Sequence, residues 1–94
     1  MELGRIVGQV VATVKDAGLP NLTLQLVDII DSRGNVVFSN QVAADCIGAG
    51  EGEVVLLVRG SSARLIMETK TPLDLSVVGI VDQITAGKDI LYSK

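Results

Sequence analysis

Histidine is absent from this 94-residue chain, and cysteine occurs once, at Cys46. Without an imidazole, neither a Ser-His-Asp nor a Cys-His relay can be assembled within one chain. A single cysteine with no histidine also excludes a structural zinc site made by one chain, and it excludes an internal disulfide, which fits a reducing compartment. The residue inventory therefore does not point to an enzyme, and it suggests no metal site or cofactor.

Aromatic residues, positive charge and long apolar runs are also scarce. Phe38 and Tyr92 are the only aromatic residues, and the formal net charge is −3. Nucleic-acid binding needs a basic surface, and single-strand binding also needs aromatic rings for stacking, so we expect no nucleic-acid partner. No apolar run reaches the length of a membrane span, and the residues after Met1 lack the charged and apolar regions of a signal peptide, so we expect no membrane partner.

What the chain has in abundance is aliphatic residues. Val, Ile and Leu supply about a third of it, a composition that favours strands over helices. The length suits one domain, which we place over residues 1–94. The mean hydropathy of +0.48 is high for a mass of 9.8 kDa. A chain of this size buries only about 64% of its surface on folding, so part of the apolar excess needs another cover.

Apolar alternation and turn residues predict five or six short strands. The predicted strands run from Leu3 to Val14, Leu22 to Ile30, Val36 to Phe38, Val54 to Val58, Leu75 to Ile84 and Asp89 to Tyr92. Gly8 interrupts the first strand and predicts a bulge or bend, as a barrel needs at its corners. One short helix is expected from Ser61 to Glu68, with a serine as its cap. The sum is an all-β barrel with one short helix.

Two predicted strands do not alternate between apolar and polar residues. Residues 54–58 are five apolar residues in succession, and residues 77–81 alternate poorly. Both faces of such strands must be covered. A 94-residue barrel has little chain with which to cover its own exterior. We therefore expect the chain to form a homo-oligomer, with other copies covering these strands.

The glycine-rich segment from Gly48 to Gly52 invites comparison with phosphate-binding loops. Such loops lie between a strand and a helix, so that helix amides face the phosphate, whereas here a strand is expected to follow. Glu51 and Glu53 would also repel an anion. The segment is better interpreted as a tight connection between strands, in which backbone packs closely on backbone.

Other candidate residues also have simple interpretations. Cys46 could be a reactive thiol, but a small buried apolar role is favoured because no nearby cation cluster is evident. Arg64 could pair with a carboxylate (Asp45, Asp74 or Asp82) or lie solvated at the surface. Four acidic residues could in principle supply a carboxylate pair, but their spacing selects none, so surface charge is the default: Glu51, Glu53, Glu68 and Asp74.

The chain resembles the vertex proteins of bacterial microcompartments, the family of ethanolamine-utilisation and carboxysome pentamers. The resemblance extends in order over almost the whole chain. It is carried by Leu3–Arg5, Gly8–Val11, Leu24–Asp31, Asp45–Leu56, Gly60–Arg64, Leu73-Asp74 and Val78–Asp82. Each motif is weak alone, but together and in register they are specific.

This resemblance implies a five-stranded barrel related to the oligonucleotide-binding (OB) fold, assembled as a cyclic pentamer. It implies a structural shell protein that caps five-fold vertices beside hexameric shell proteins, in a cytoplasmic microcompartment, and that is not an enzyme. A small OB-like module that binds a ligand or peptide is the alternative. By analogy with the family, one set of residues is expected near the five-fold axis: Gly48, Ala49, Gly50, Glu51 and Gly52. A second set is expected at interfaces: Arg5, Gln9, Ser61, Ser62 and Arg64.

Overall fold

The computed structural model describes residues 1–12, 23–60 and 74–94. Within these ranges the chain forms seven strands: β1 (Glu2–Val10), β2 (Thr23–Ile30), β3 (Val36–Asp45), β4 (Val54–Arg59), β5 (Leu75–Ile80), β6 (Gln83–Ala86) and β7 (Asp89–Ser93). Five strands close a barrel in the order β1-β2-β3-β5-β4, with β4 returning to pair with β1. The expected all-β barrel of five strands is thus confirmed. The helix expected over residues 61–68 lies outside the described residues.

The barrel is antiparallel except at one place. β1, β2 and β3 pair in succession, and β4 pairs with both β1 and β5. The exception is β3 with β5, which are parallel and share only the pairs Ala44↔Ser76 and Asp45↔Val77. The barrel is therefore completed through a short contact between β5 and the very end of β3.

The core consists of aliphatic side chains from all five barrel strands. The least exposed, each at 1% or less, are Ile6, Val27, Ala43, Ala44, Val54, Val55, Leu57 and Val77. β-branched and leucine side chains suit the inside of a small barrel because they pack well on a pleated surface. Burial of one such side chain contributes about 1.5–3 kcal/mol, so the core supplies the main stabilisation of the barrel.

Two glycines of β1 shape the barrel wall. The pairing of β1 with β2 shifts register between Ile6 and Gly8, so the bulge predicted at this position is confirmed. Gly4 is buried, and a Cβ added to it would lie 2.6 Å from Leu57 Cδ1 and 3.2 Å from the carbonyl oxygen of Asp28. The absence of a side chain at residue 4 is therefore what lets β1 lie this close to its neighbours.

The structure corrects several expectations about the strands. β1 ends at Val10 rather than Val14, and β3 continues beyond Phe38 to Asp45. Residues 75–84 are not one strand, because β5 ends at Ile80 and β6 begins at Gln83. The amide of Val81 donates to the carbonyl oxygen of Val54 (2.8 Å), after which the chain leaves the barrel and forms a separate two-stranded sheet of β6 and β7.

A further correction concerns residues 54–58, which were expected to need another copy of the chain to cover both faces of their strand. Four of the five residues 54–58 are already buried within one chain, with Leu56 half-buried. The prediction that another copy must cover both faces of this strand is wrong. The exposed apolar side chains lie elsewhere, chiefly on β3 and β7: Val36, Val37, Phe38, Val42 and Ile90.

Candidate functional site

The glycine-rich loop, residues 46–53, connects β3 to β4, and the side chain of Asp45 organises it. Asp45 Oδ1 accepts hydrogen bonds from the amides of Ile47 (2.8 Å) and Gly48 (3.0 Å). Its Oδ2 accepts from the amide of Ala49 (2.8 Å) and from Gln25 Nε2 (3.0 Å). One buried carboxylate therefore satisfies three consecutive loop amides and a side chain of β2.

These hydrogen bonds decide the charge state of Asp45. Burial acts to raise the pKa of the carboxyl group, but the donors from Gln25 and from the loop amides stabilise the charged form and outweigh it. The pKa of Asp45 is consequently lower than its ordinary value of 3.8. The loop therefore has a buried negative charge beneath it at neutral pH.

A second carboxylate, Glu53, holds the other end of the loop. Its Oε1 accepts from the amide of Gly50 (2.6 Å), and its Oε2 accepts from Lys94 Nζ (2.5 Å). The hydrogen bond from Lys94, followed by that from the Gly50 amide, lowers the pKa of Glu53. The loop is thus linked to the last residue of the chain by an ion pair.

The loop also joins the barrel through its backbone. The amide of Gly52 donates to the carbonyl oxygen of Ile6 (2.8 Å), and the amide of Ile6 donates to the carbonyl oxygen of Glu53 (3.0 Å). Ala49 is buried in the core, and Gln25 Nε2 donates to its carbonyl oxygen (2.9 Å). Gly52, at φ 89°, has the left-handed conformation that favours glycine. The loop is consequently part of the barrel wall.

A cleft of about 370 Å³ lies between the loop and the first two strands. Its walls include Gln9, Gln25, Gly48 and Glu51. The amides of residues 47–50 do not point into it for a ligand, because each donates to a carboxylate of the same chain. A phosphate cradle needs free amides and a following helix, whereas β4 follows here. The geometry agrees with the interpretation of the loop as a tight connection between strands.

The predicted interface residues are placed only in part. Arg5 is half-buried on β1, and Gln9 is exposed further along the same strand. Ser61, Ser62 and Arg64 lie outside the described residues.

Of the carboxylates considered as partners of Arg64, two have other partners. Asp45 is bound by the glycine-rich loop and Gln25 as described above. Asp74 Oδ2 accepts from Arg59 Nη1 (3.3 Å), and Nε of the same arginine pairs with Glu2 Oε2 (2.8 Å). The interpretation of Cys46 as a buried residue is wrong, because its side chain is exposed at the start of the loop.

Sequence reasoning missed the structural role of Asp45 and Gln25. The signal for Asp45 was present, since an aspartate followed within a few residues by glycine is typical of a side chain that bonds its own downstream backbone. No comparable signal existed for Gln25, which is buried by contact with a loop 24 residues away.

Within the described ranges, no group of three or more acidic or thiol side chains could hold a metal ion. In the same ranges, no helix is long and apolar enough to span a membrane.

Comparison with known proteins gives one consistent result. Residues 1–82 match the family model described as ethanolamine utilisation protein EutN/carboxysome. The bacterial microcompartment shell vertex protein EutN of Salmonella typhimurium (strain LT2) is 46% identical over 95 aligned residues, which cover 100% of this chain and 96% of that protein.

Two solved structures extend the comparison. The structure of CcmL from Nostoc sp. PCC 7120 has a TM-score of 0.92 and 40% identity, and the match covers 100% of both chains. The pentameric microcompartment shell protein GrpN from Rhodospirillum rubrum has a TM-score of 0.83 and 38% identity, and the match covers 93% of this chain and 100% of that one.

The barrel, the glycine-rich loop and these full-length similarities define a microcompartment shell protein of the vertex class. The chain belongs to the EutN/CcmL family, as its sequence motifs indicated.

Proposed function

We propose that five copies of this chain form a ring that caps the five-fold vertices of a polyhedral bacterial microcompartment in the cytoplasm. The full-length similarity to proteins named as shell vertex proteins carries this proposal, and the pentameric GrpN structure supports the number of copies. The chain acts as one domain over residues 1–94 that contributes shape and contacts rather than catalysis. Its other partners are the hexameric shell proteins that form the facets.

The distribution of apolar surface supports self-association. The barrel completes its own core, yet several large aliphatic or aromatic side chains on β3 and β7 remain at least half exposed. Exposed apolar groups that lie together commonly mark surfaces for protein contact. A closed ring needs two different complementary surfaces on each copy, related by a rotation. Arg5, Gln9, Ser61, Ser62 and Arg64 remain our candidates for polar contacts at these or at hexamer interfaces.

The glycine-rich loop is our candidate for the region nearest the five-fold axis. Five chains that converge on an axis leave little room for side chains, which suits Gly48, Ala49, Gly50 and Gly52. Glu51 is exposed at the turn of this loop. In a ring it would recur five times, and the resulting ring of negative charge would disfavour anions at any central opening.

Native mass spectrometry of the purified chain tests the proposed assembly. We expect a dominant species near five times 9.8 kDa at micromolar concentration. A lone chain at that concentration would contradict the proposal. A ring with a different number of copies would contradict the five-fold vertex while leaving self-association intact.

The axial position of the loop has a separate test in Glu51→Gln. Like charges close to one axis repel each other, and salt screens that repulsion with a Debye length of about 10 Å at 0.1 M. We therefore expect the wild-type ring to gain stability against dissociation as salt is added, and the variant to gain less. Asp82→Asn is the control, since it removes an exposed charge from the connection between β5 and β6. Equal salt dependence in wild type, variant and control would remove the basis for an axial Glu51.

A further inference from the structure

A second, smaller cleft of about 100 Å³ lies between the barrel and the β6–β7 hairpin, and it is called the arginine cleft here. Its apolar lining includes Ile30 and Val54, which are buried, and its polar lining includes Arg5, Arg33 and Tyr92. No acidic residue of the described ranges lines it. The cleft therefore combines two positive side chains with an apolar wall in a protein whose net charge is −3.

The guanidinium group of Arg5 extends from β1 to the turn between β2 and β3. Gly34 of that turn has φ 88°, and a Cβ added to it would lie 3.8 Å from Arg5 Nη2. Arg5 is half-buried, so water solvates its charge only in part. A counter-charge gains strength where water is partly excluded, because the local dielectric constant is lower.

Arg5 has no such counter-charge within the part of the chain that the structure describes. The ion pairs there involve Arg59 and Lys94 only. Asp28 lies opposite Arg5 in the pairing of β1 with β2, but its Oδ1 accepts from the amide of Asn40 (2.9 Å). The cross-strand carboxylate is thus bonded towards β3, and the charge of Arg5 has no ion-pair partner in these ranges.

Arg33 supplies the second positive charge of the arginine cleft. The nearest acidic residue in the sequence is Asp31, whose carboxylate holds the turn together. Its Oδ1 accepts from the amides of Arg33 and Asn35 (both 2.9 Å), and its Oδ2 accepts from Asn35 Nδ2 (3.2 Å). Asp31 reduces the local positive potential, but it does not line the cleft. Arg33 is exposed, so an ion can reach the cleft from solvent.

We propose that the arginine cleft binds one small oxyanion, a carboxylate or phosphate group, between the guanidinium groups of Arg5 and Arg33. Guanidinium groups bind both kinds of anion through paired, charge-assisted hydrogen bonds. The cleft has room for several water molecules, and therefore for one such group. The hydroxyl groups of Ser32 and Tyr92, which also line the cleft, are further potential donors. This inference does not depend on the proposed ring, and it adds a ligand to the protein partners.

NMR of the arginine side chains tests the site in the assembled protein. Inorganic phosphate and acetate are titrated separately into nitrogen-15-labelled protein, in exchange for chloride at constant ionic strength. We expect the Nε–H resonances of Arg5 and Arg33 to follow one saturable curve, and that of Arg59, which pairs with Glu2, to move little.

Tighter binding of phosphate would assign a phosphate group to the cleft, and tighter binding of acetate would assign a carboxylate group. Either result supports the site. The absence of saturable shifts with both anions would overturn the inference, and this includes the case in which a carboxylate of a neighbouring copy fills the cleft.

Arginine variants separate this site from general attraction by positive charge. Arg5→Gln and Arg33→Gln each remove one charge-assisted pair, so we expect each to weaken binding by about tenfold or more. Arg59→Gln is the matched control, because it removes the same group from a residue that does not line the cleft, and its Kd should stay close to that of wild type. Equal weakening in all three variants would contradict a specific site. Arg5 is also a candidate for contacts in the ring, so Arg33→Gln keeps the test valid if Arg5→Gln impairs assembly.

Thermal melts at one protein concentration give a second readout. An anion that binds only the folded protein stabilises it, and at 100 times its Kd the melting temperature should rise by about 10–20 °C. At the same anion concentration, Arg33→Gln should gain about half of that rise or less. An equal rise in wild type and Arg33→Gln would contradict the inference. A chain that binds the anion but stays a monomer would contradict the proposed ring and leave this inference standing.

Discussion

Replacement of Asp45 by asparagine tests how the glycine-rich loop is held. The variant keeps the size of the side chain but substitutes an NH₂ group for one oxygen. The Oδ1 position faces the amides of Ile47 and Gly48, and the Oδ2 position faces the amide of Ala49 and Gln25 Nε2. Whichever of the two oxygens the NH₂ group replaces, two N–H donors of the protein then face another donor and lose their acceptor. The side chain of Asp45 is buried, so water does not readily replace the lost acceptor.

The expected cost follows from the number of donors left without a partner. Each buried polar group that loses its partner costs about 1–3 kcal/mol, so two of them should cost about 4 kcal/mol. A domain of this kind has a free energy of unfolding of about 5–15 kcal/mol, so the variant should lose a large part of its stability. The melting temperature should fall by about 15–30 °C, at about 4–8 °C per kcal/mol.

The assay is urea unfolding followed by circular dichroism at one fixed protein concentration, since assembly makes apparent stability depend on concentration. Asp31→Asn is the control. Asp31 accepts from the amides of Arg33 and Asn35 (both 2.9 Å), but it lies exposed in the turn between β2 and β3. Water can replace the lost acceptor there, so this variant should lose less than about 1 kcal/mol. Equal losses for the two variants would refute the argument that burial makes the Asp45 hydrogen bonds costly to remove.

Acid adds a further readout on the same residue. The pKa of Asp45 is lower in the folded state than its ordinary value of 3.8, so the unfolded chain binds more protons in that range. The stabilisation by the charged carboxylate is therefore complete above the ordinary pKa and is lost as the pH falls through the lower, folded-state pKa. As the pH falls below about 4, Asp45→Asn should lose less stability than wild type does. Parallel losses would show that other groups govern acid unfolding.

Two further predictions concern close packing and the ion pair at the loop. Gly4→Ala should destabilise the barrel by about 1–3 kcal/mol in urea unfolding, because the added Cβ would overlap the side chain of Leu57. Gly79→Ala is the control and should cost less, because the nearest atom to its added Cβ lies at 3.6 Å. Equal losses of stability for the two variants would contradict the packing argument. The hydrogen bond from Lys94 to Glu53 raises the pKa of Lys94. The ion pair therefore stabilises the fold fully below the ordinary lysine pKa of 10.5, and this stabilisation is lost as the pH rises through the higher pKa of the folded state. Lys94→Ala should therefore lose less stability than wild type over that alkaline range in thermal melts, and an identical pH profile would refute a stabilising pair.

Local patterns accounted for much of the fold. The alternating residues from Leu22 to Ile30 predicted β2, and Gly8 predicted the bulge in β1, because both depend on short-range backbone chemistry. The run of apolar residues 54–58 predicted β4 for a similar reason. The division of residues 75–84 into β5 and β6 was not predictable from the pattern. It follows from a contact between Val81 and Val54, which are distant in sequence.

The location of the exposed apolar surface could not be predicted from composition. Residues 54–58 and residues 36–38 are similarly apolar, yet the first group is buried within one chain and the second is exposed. The difference lies in strand order. β4 has neighbours on both sides in the barrel, whereas β3 begins well before the point where β5 joins it. Only the topology separates the two cases.

Asp45 connects the closure of the barrel to the geometry of the loop. It is the last residue of β3 and pairs with Val77 in the short parallel contact through which β5 joins the barrel. The same residue supplies the carboxylate that binds the amides of the glycine-rich loop. Because the β3–β5 contact links residues about thirty positions apart, its formation carries a larger loop-closure cost than the hairpins do. A change that loosens Asp45 should therefore weaken the loop and this closing contact together, while the hairpin of β2 and β3 depends on local pairing and should persist.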